Sequence, residues 1–296
     1  MAIRLNLNFD LNWLEDPLLQ RNKVKLGVLR LDQLHPIVSG NKWFKLRYFL
    51  EEVKKENKEG IITFGGAYSN HLTATAAACA YEDIPVIGFI RGLEGIEKPT
   101  ATLIQCKEWK MQLAFLTRAA YAEKETEKFL QEIASQYPNH LIVPEGGFAD
   151  KGIEGAAAIH KYIPEEIDII ATPVGSSTTM IGLIEGSKPQ QEVIGFTALK
   201  QGEYLAATIK AKTKKGHWQL ITDYHFGGFG KHRPELLEFI KKFKKAHGIE
   251  LDFVYTAKMM AGIFDLIEKE KLKECTICCI HTGGLQGNNS IAHLLV

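Results

Sequence analysis

The sequence predicts an α/β protein made of two units, each an open, mostly parallel sheet with helices on both faces. Three observations predict it. Short β-like apolar runs alternate with stretches of helical periodicity, which implies parallel strands covered on both faces. The 296 residues exceed what one hydrophobic core usually serves. The composition also changes at Pro144-Glu145-Gly146-Gly147, after which the alternation resumes.

Residues 1–38 form a polar opening segment with scattered aromatics, in which the alternation from Lys23 to Leu31 suggests a strand or hairpin before His35-Pro36. Trp43, Phe44, Leu46, Phe49, Leu50 and Val53 recur at helical spacing, so a helix is expected from Trp43 to Glu56, closed by Gly60. Strands are then expected at 61–64, 84–90, 112–117 and 141–144, with helices near 70–81, 99–110 and 122–135. Beyond the composition change, strands are expected near 167–174, 193–199, 218–222, 251–255 and 275–281. The helices of that half fall near 151–162, 178–186, 203–212, 233–246, 257–270 and 288–295. No internal repeat or low-complexity linker interrupts the pattern, and a cleft between two such units is the natural ligand site.

Bulk properties narrow the function. Charged residues are 24% with a net charge of +1, so no global field points to nucleic acid or an acidic membrane. Lysine clusters at 207–217 and 241–247 lie on polar faces or loops without interleaved aromatics, as solvated surface does. The start, Met1-Ala2-Ile3-Arg4-Leu5, lacks a basic segment followed by an apolar core, and no window approaches the ~18 apolar residues of a membrane helix. A soluble, cytoplasmic protein with no membrane or nucleic-acid partner is expected. Cys275, Cys278 and Cys279 share an apolar run with Ile277 and Ile280, with neither a second ligand pair for zinc nor the turn and helix of a redox motif. They are expected as thiols of a buried strand, with no metal site.

The chemistry concentrates between Ser39 and Thr75. Lys42 and Lys45 straddle a helix start, where the positive end of the macrodipole and partial burial depress an amine's pKa. A neutral amine is a nucleophile toward carbonyls. The following strand ends in Gly65-Gly66-Ala67-Tyr68-Ser69-Asn70-His71. A second signal is Ala171-Thr172-Pro173-Val174-Gly175-Ser176-Ser177-Thr178-Thr179, a strand running into small hydroxyl residues and a helix N-terminus, as suits a phosphate. It has no P-loop lysine and no Gly-x-Gly-x-x-Gly pattern, which argues against ATP and NAD. Further signals are Asp223-Tyr224-His225-Phe226-Gly227-Gly228-Phe229-Gly230, Leu251-Asp252-Phe253-Val254-Tyr255-Thr256-Ala257-Lys258, and Ile280-His281-Thr282-Gly283-Gly284 after the last strand.

The motifs Gly40-Asn41-Lys42-x-x-Lys45-Leu46 and Gly65-Gly66-x-x-Ser69-Asn70-His71 closely resemble those of the pyridoxal-phosphate enzymes of the aminocyclopropane-carboxylate deaminase and D-cysteine desulfhydrase family. That family has the tryptophan-synthase-β-like fold, type II among pyridoxal-phosphate enzymes. The resemblance implies pyridoxal 5'-phosphate as cofactor and Lys42 as its Schiff-base lysine. It implies that Asn70 bonds the ring hydroxyl, that Ser69 faces the substrate carboxylate beside His71, and that Gly175, Ser176, Ser177, Thr178 and Thr179 hold the phosphate. Ser177 and Thr178 here replace two glycines of the family loop. Tyr255 is expected against the cofactor ring and Thr256 at the pyridine nitrogen, although Phe253 and Ala257 depart from the family's segment. A family tyrosine over the substrate falls on Phe229, with Tyr224 or His225 as candidate substitutes for its hydroxyl.

Lys42, Lys45, Ser69 and Tyr255 thus form the expected catalytic set, with Lys45 or the freed Lys42 taking a Cα proton. The domains implied are 46–145 and, discontinuously, 1–45 with 146–296. The expected reaction is β-elimination or deamination of a small amino acid by a homodimer, giving a keto acid and ammonia. A hydroxyl at Thr256 makes a neutral hydrogen bond where glutamate would hold the ring nitrogen protonated, which suits a good leaving group. D-Cysteine is therefore the first expected substrate and aminocyclopropane-carboxylate the second. A catalytically silent cofactor-binding protein is the remaining reading, given the departures at Tyr68 and Phe229.

Overall fold

The computed structural model describes residues 3–295; Met1 and Ala2 of the opening Met1-Ala2-Ile3-Arg4-Leu5, and Val296, lie outside them. The chain opens with β1 (Leu11–Trp13), α1 (Pro17–Arg21), β2 (Lys25–Leu29) and α2 (Asn41–Lys55). It continues through β3 (Gly60–Gly66), α3 (Asn70–Tyr81), β4 (Val86–Arg91), α4 (Glu94–Glu97), α5 (Ala101–Glu108) and β5 (Gln112–Leu116). Next come α6 (Arg118–Ala122), α7 (Glu127–Gln136), β6 (His140–Val143), α8 (Asp150–Ala157), β7 (Ile169–Val174), α9 (Thr178–Gly186) and β8 (Glu192–Thr197). The last elements are α10 (Leu205–Lys212), β9 (Trp218–Ile221), α11 (Pro234–His247), α12 (Thr256–Glu268) and β10 (Thr276–Ile280).

These elements form two compact units. One holds residues 3–5 and Lys42–Gly155, with a four-stranded parallel sheet in the order β5-β4-β3-β6. Its β3 is apolar and buried along nearly its whole length, as a strand covered on both faces must be. Phe64 of β3 stacks on Phe89 of β4 at 5.6 Å between ring centroids, in a core completed by Ile62, Ile87, Tyr121 and Ile133. The β3 strand then feeds α3, where Ser69 caps the helix by accepting from the Leu72 N–H at 3.3 Å.

The other unit holds Asn6–Asn41 and residues 156–295, with a six-stranded sheet in the order β1-β2-β10-β7-β8-β9. All its pairs are parallel except β1 with β2. Leu26, Val28, Ile169, Phe196, Ile277 and Cys279 of the strands pack with Met259, Met260 and Ile263 of α12. Cys278 and Cys279 are buried in β10, and Cys275 lies just before it, half-buried. No helix among the described residues is long and apolar enough to cross a membrane.

Three expectations are corrected. The units divide at 41–42 and 155–156, where 45–46 and 145–146 were expected, so that α2 from Lys42 and α8 up to Gly155 fall in the first unit. A Cβ on Gly155 would lie 1.9 Å from the Phe44 carbonyl oxygen, so tightly are these helices set. Residues 251–255 are a turn and not a strand, since their N–H groups fold back onto Asp252. The helix expected near 122–135 starts later, as α7 at Glu127, and is preceded by a separate short α6 that ends at Ala122; each has its own threonine cap, Thr126 and Thr117.

Candidate active site

In the first unit, Lys42 opens the first turn of α2 and Lys45 lies one turn on, 3% exposed. Burial, then the charge of Lys42, holds the Lys45 amine well below its ordinary 10.5. Ser69 and Asn70 stand at the N-terminus of α3, and Tyr68 before them is exposed. The Ser69 hydroxyl accepts the Leu72 N–H, which leaves its own proton for another partner.

His71 is 5% exposed. Its Nε2 lies 2.9 Å from Thr63 Oγ1, which itself donates to the Val143 carbonyl at 2.9 Å. Because the threonine proton goes to Val143, the hydrogen between Thr63 and His71 belongs to Nε2, and Nδ1 is a bare acceptor. That Nδ1 is buried with no hydrogen-bond partner. Burial and the charges of Lys45 and Lys42 keep the imidazole well below its ordinary 6.5, so it is neutral.

In the second unit, β7 ends at Val174 and α9 begins at Thr178. Ser177 adopts a left-handed φ of 63° and is 2% exposed, and its hydroxyl is buried without a partner. Ser176 and Thr178 share a hydrogen bond at 3.0 Å. The Asn41 amide, one residue before Lys42, donates to Thr179 Oγ1 at 2.7 Å. Gly40 fixes that asparagine: its φ is 62°, and a Cβ there would lie 2.0 Å from the Thr282 carbonyl oxygen.

Tyr255 lies against Gly175, and Phe229 stands edge-on to the same tyrosine at 5.9 Å, with an interplanar angle of 67°. Thr256 is fully buried, and its hydroxyl donates to Asp252 Oδ1 at 2.7 Å and accepts from the Asp252 N–H at 2.8 Å. One lone pair of Thr256 is left for a further partner. The structure thus gathers Gly175, Ser176, Ser177, Thr178, Thr179, Tyr255 and Phe229 in one unit, and Lys42, Lys45, Ser69, Asn70 and His71 in the other. Tyr224 and His225 are engaged elsewhere. Tyr224 donates its hydroxyl to Asp265 and packs on Phe196, and His225 Nδ1 accepts from Gly227 N at 3.0 Å.

Sequence reasoning did not assign Thr63 or Asp252. Nothing local marks Thr63, whereas an aspartate just ahead of a helix is a recognisable cap signal. No cluster of metal-ligating residues occurs among the described residues.

Pyridoxal phosphate brings a phosphate dianion, a ring and an aldehyde, and the residues present fit it. The orphaned Ser177 hydroxyl at the N-terminus of α9 is a donor in want of an acceptor, as a phosphate site requires. The lysine pair supplies an amine for the aldehyde. The comparison with known families agrees: the family model of the pyridoxal-phosphate dependent enzymes matches residues 15–283. The chain belongs to this family.

Among its relatives, a putative 1-aminocyclopropane-1-carboxylate deaminase of Pyrococcus abyssi is 28% identical over 270 residues, 84% of this chain and 81% of that one. The D-cysteine desulfhydrase of Klebsiella pneumoniae is 27% identical over 287 residues, 86% of each. The crystal structure of an ACC deaminase homologue superposes with a TM-score of 0.85 at 24% identity, over 99% of this chain and 95% of that one. The processed threonine deaminase isoform 2 of Solanum lycopersicum gives 0.68 at 17% identity, over 98% and 84%. These pyridoxal-phosphate enzymes share the type II fold with this chain, and pyridoxal phosphate is the cofactor.

Proposed function

We propose that this pyridoxal-phosphate-dependent enzyme catalyses β-elimination with deamination of a small amino acid, releasing a keto acid and ammonia, with D-cysteine as its substrate. The observation that carries the reading is the lysine pair, in which Lys45, its amine held well below the ordinary lysine range by burial, lies one turn from Lys42. In this reading Lys42 would hold the cofactor by its aldehyde. Lys45 or Lys42 would take the Cα proton of the substrate. When bound, the pyridine ring supplies a sink for the electron pair left on Cα. The Ser69 proton is available for the substrate carboxylate, and Asn70 beside it serves the ring hydroxyl. Gly175, Ser176, Ser177, Thr178 and Thr179 would hold the phosphate, Tyr255 would lie against the cofactor ring, and Phe229 would wall the substrate.

Thr256 supports a thiolate leaving group. It is neutral, and with its proton given to Asp252 its remaining lone pair can only accept from a protonated ring nitrogen, which it holds less strongly than a carboxylate would. Ring opening of aminocyclopropane-carboxylate is the second reading, favoured by the name of the Pyrococcus relative and disfavoured by the missing hydroxyl at Phe229. Keto-acid release from a panel of D- and L-cysteine, D- and L-serine and aminocyclopropane-carboxylate tests the choice. D-Cysteine is expected to be turned over and the cyclopropane little or not at all. Faster release from the cyclopropane at equal concentration overturns the substrate, and release from none of them leaves a cofactor-binding protein.

A further inference from the structure

The first turn of α12 buries a lysine. Lys258 is 1% exposed, and its Nζ donates to the Gly228 carbonyl at 2.7 Å. A cation at this end of a helix opposes the macrodipole, and a buried ammonium is costly where a methionine of the same length would pack without charge. The fully buried Asp252 offsets part of that cost, but burial outweighs it and lowers the Lys258 pKa to about 8.

The bond ties a glycine-rich loop, whose other hydrogen bonds are internal, to α12: Gly228 N–H donates to the His225 carbonyl at 3.0 Å and Gly227 N–H to His225 Nδ1 at 3.0 Å. Between β9 and α11, Phe226, Gly227, Gly228 and Gly230 all have left-handed φ, at 48°, 98°, 109° and 63°. Ordering such glycines loses more backbone entropy than ordering other residues. The Gly228 carbonyl is the loop's anchor, because it also accepts the Lys231 N–H at 3.0 Å. The next residue is Phe229, 47% exposed and edge-on to Tyr255.

We infer that Lys258 is a positioning residue: by fixing the Gly228 carbonyl to α12 it sets the Phe229 ring against Tyr255, and so governs amino-acid recognition without touching substrate or cofactor. The inference rests on the reading above that Phe229 faces the substrate.

The test compares the holoenzyme with Lys258→Met, Phe229→Ala and the double variant, using amide hydrogen exchange and D-cysteine and D-serine as probes. Lys258→Met is expected to speed exchange across residues 226–231 by about tenfold or more. It should raise KM for both probes about fivefold with kcat and cofactor absorbance changed by less than about twofold. On the Phe229→Ala background the same substitution should move KM by less than about twofold, because the two residues act as one. Unchanged loop exchange overturns the inference, as does an equal rise in KM on both backgrounds or a fall in kcat with KM constant. If neither probe is turned over, the proposed reaction fails separately. Loop exchange, and binding of the probes read from the cofactor's absorbance, then still decide the role of Lys258. Lys258→Gln supplies the same readouts should the methionine variant not fold.

Discussion

Thr63 has one hydroxyl proton, and its gift to the Val143 carbonyl determines the state of His71. The imidazole must carry its hydrogen on Nε2, and burial with two nearby lysines keeps it from charging. Nitrogen-15 NMR of imidazole-labelled protein is expected to show a neutral Nε2–H tautomer throughout the neutral range. Thr63→Val should cost about 1–3 kcal/mol by leaving that N–H buried without an acceptor. A cationic ring, or a hydrogen on Nδ1, would refute the proton count. The lysines lend themselves to a simpler separation. Lys42→Ala should lose visible absorbance after dialysis, while Lys45→Ala should keep it and lose turnover; the reverse pattern would exchange their roles. The helix starts that carry Lys42, Ser69 and Asn70 were legible because each is written in consecutive residues. Thr63 was not, since its role depends on a strand and a helix being brought side by side.

At the scale of elements, the N-termini of α9 and α12 show why some local signals held and one failed. The junction after β7 was legible because small hydroxyl residues between an apolar run and a helical one mark a strand-to-helix turn; its use as a phosphate site is our proposal. Leu251, Phe253 and Tyr255 alternate with the period of a strand, yet Asp252 takes the N–H groups of Val254, Tyr255 and Thr256 and the Thr256 hydroxyl, and turns the chain into α12. Asp252→Ala is therefore expected to destabilise the protein by about 3 kcal/mol, read from urea denaturation, because it strips a buried cap and the counter-charge of Lys258 together. A loss under about 1 kcal/mol would mean that water or a rearranged turn replaces those bonds. Ser177 presents the opposite balance. Its left-handed backbone costs roughly 1 kcal/mol that glycine would not incur, so Ser177→Gly should stabilise the cofactor-free chain slightly and weaken cofactor retention. Retention unchanged in a dialysis series would remove Ser177 from the phosphate site.

At the scale of the molecule, the strand and helix alternation displayed two α/β units but not which strands pair. β2 lies parallel to β10, from the far end of the chain, so the opening segment joins the second unit. Periodicity records which face is buried and not against what. The same large-scale burial gathers titratable groups whose effects on stability oppose one another. Folded Lys258 titrates at about 8 against an ordinary 10.5, and Lys45 is also depressed. Between those limits the unfolded chain holds protons that the folded chain has released, so these lysines make stability rise with pH. The buried thiols Cys79, Cys278 and Cys279 are pushed above their ordinary 9.0, so above that pH the unfolded chain loses protons first and stability falls. The profile of the unmodified protein sums both effects, and only a difference isolates one. Denaturant unfolding of the holoenzyme and of Lys258→Met at equal cofactor concentration, from about pH 7 to about pH 10.5, provides it. The unmodified protein is expected to gain on the variant by up to about 3 kcal/mol, with most of the change above pH 8. A difference that stays flat with pH would show that folded Lys258 titrates where a solvated lysine does, and that its bond to Gly228 is not formed in a buried site.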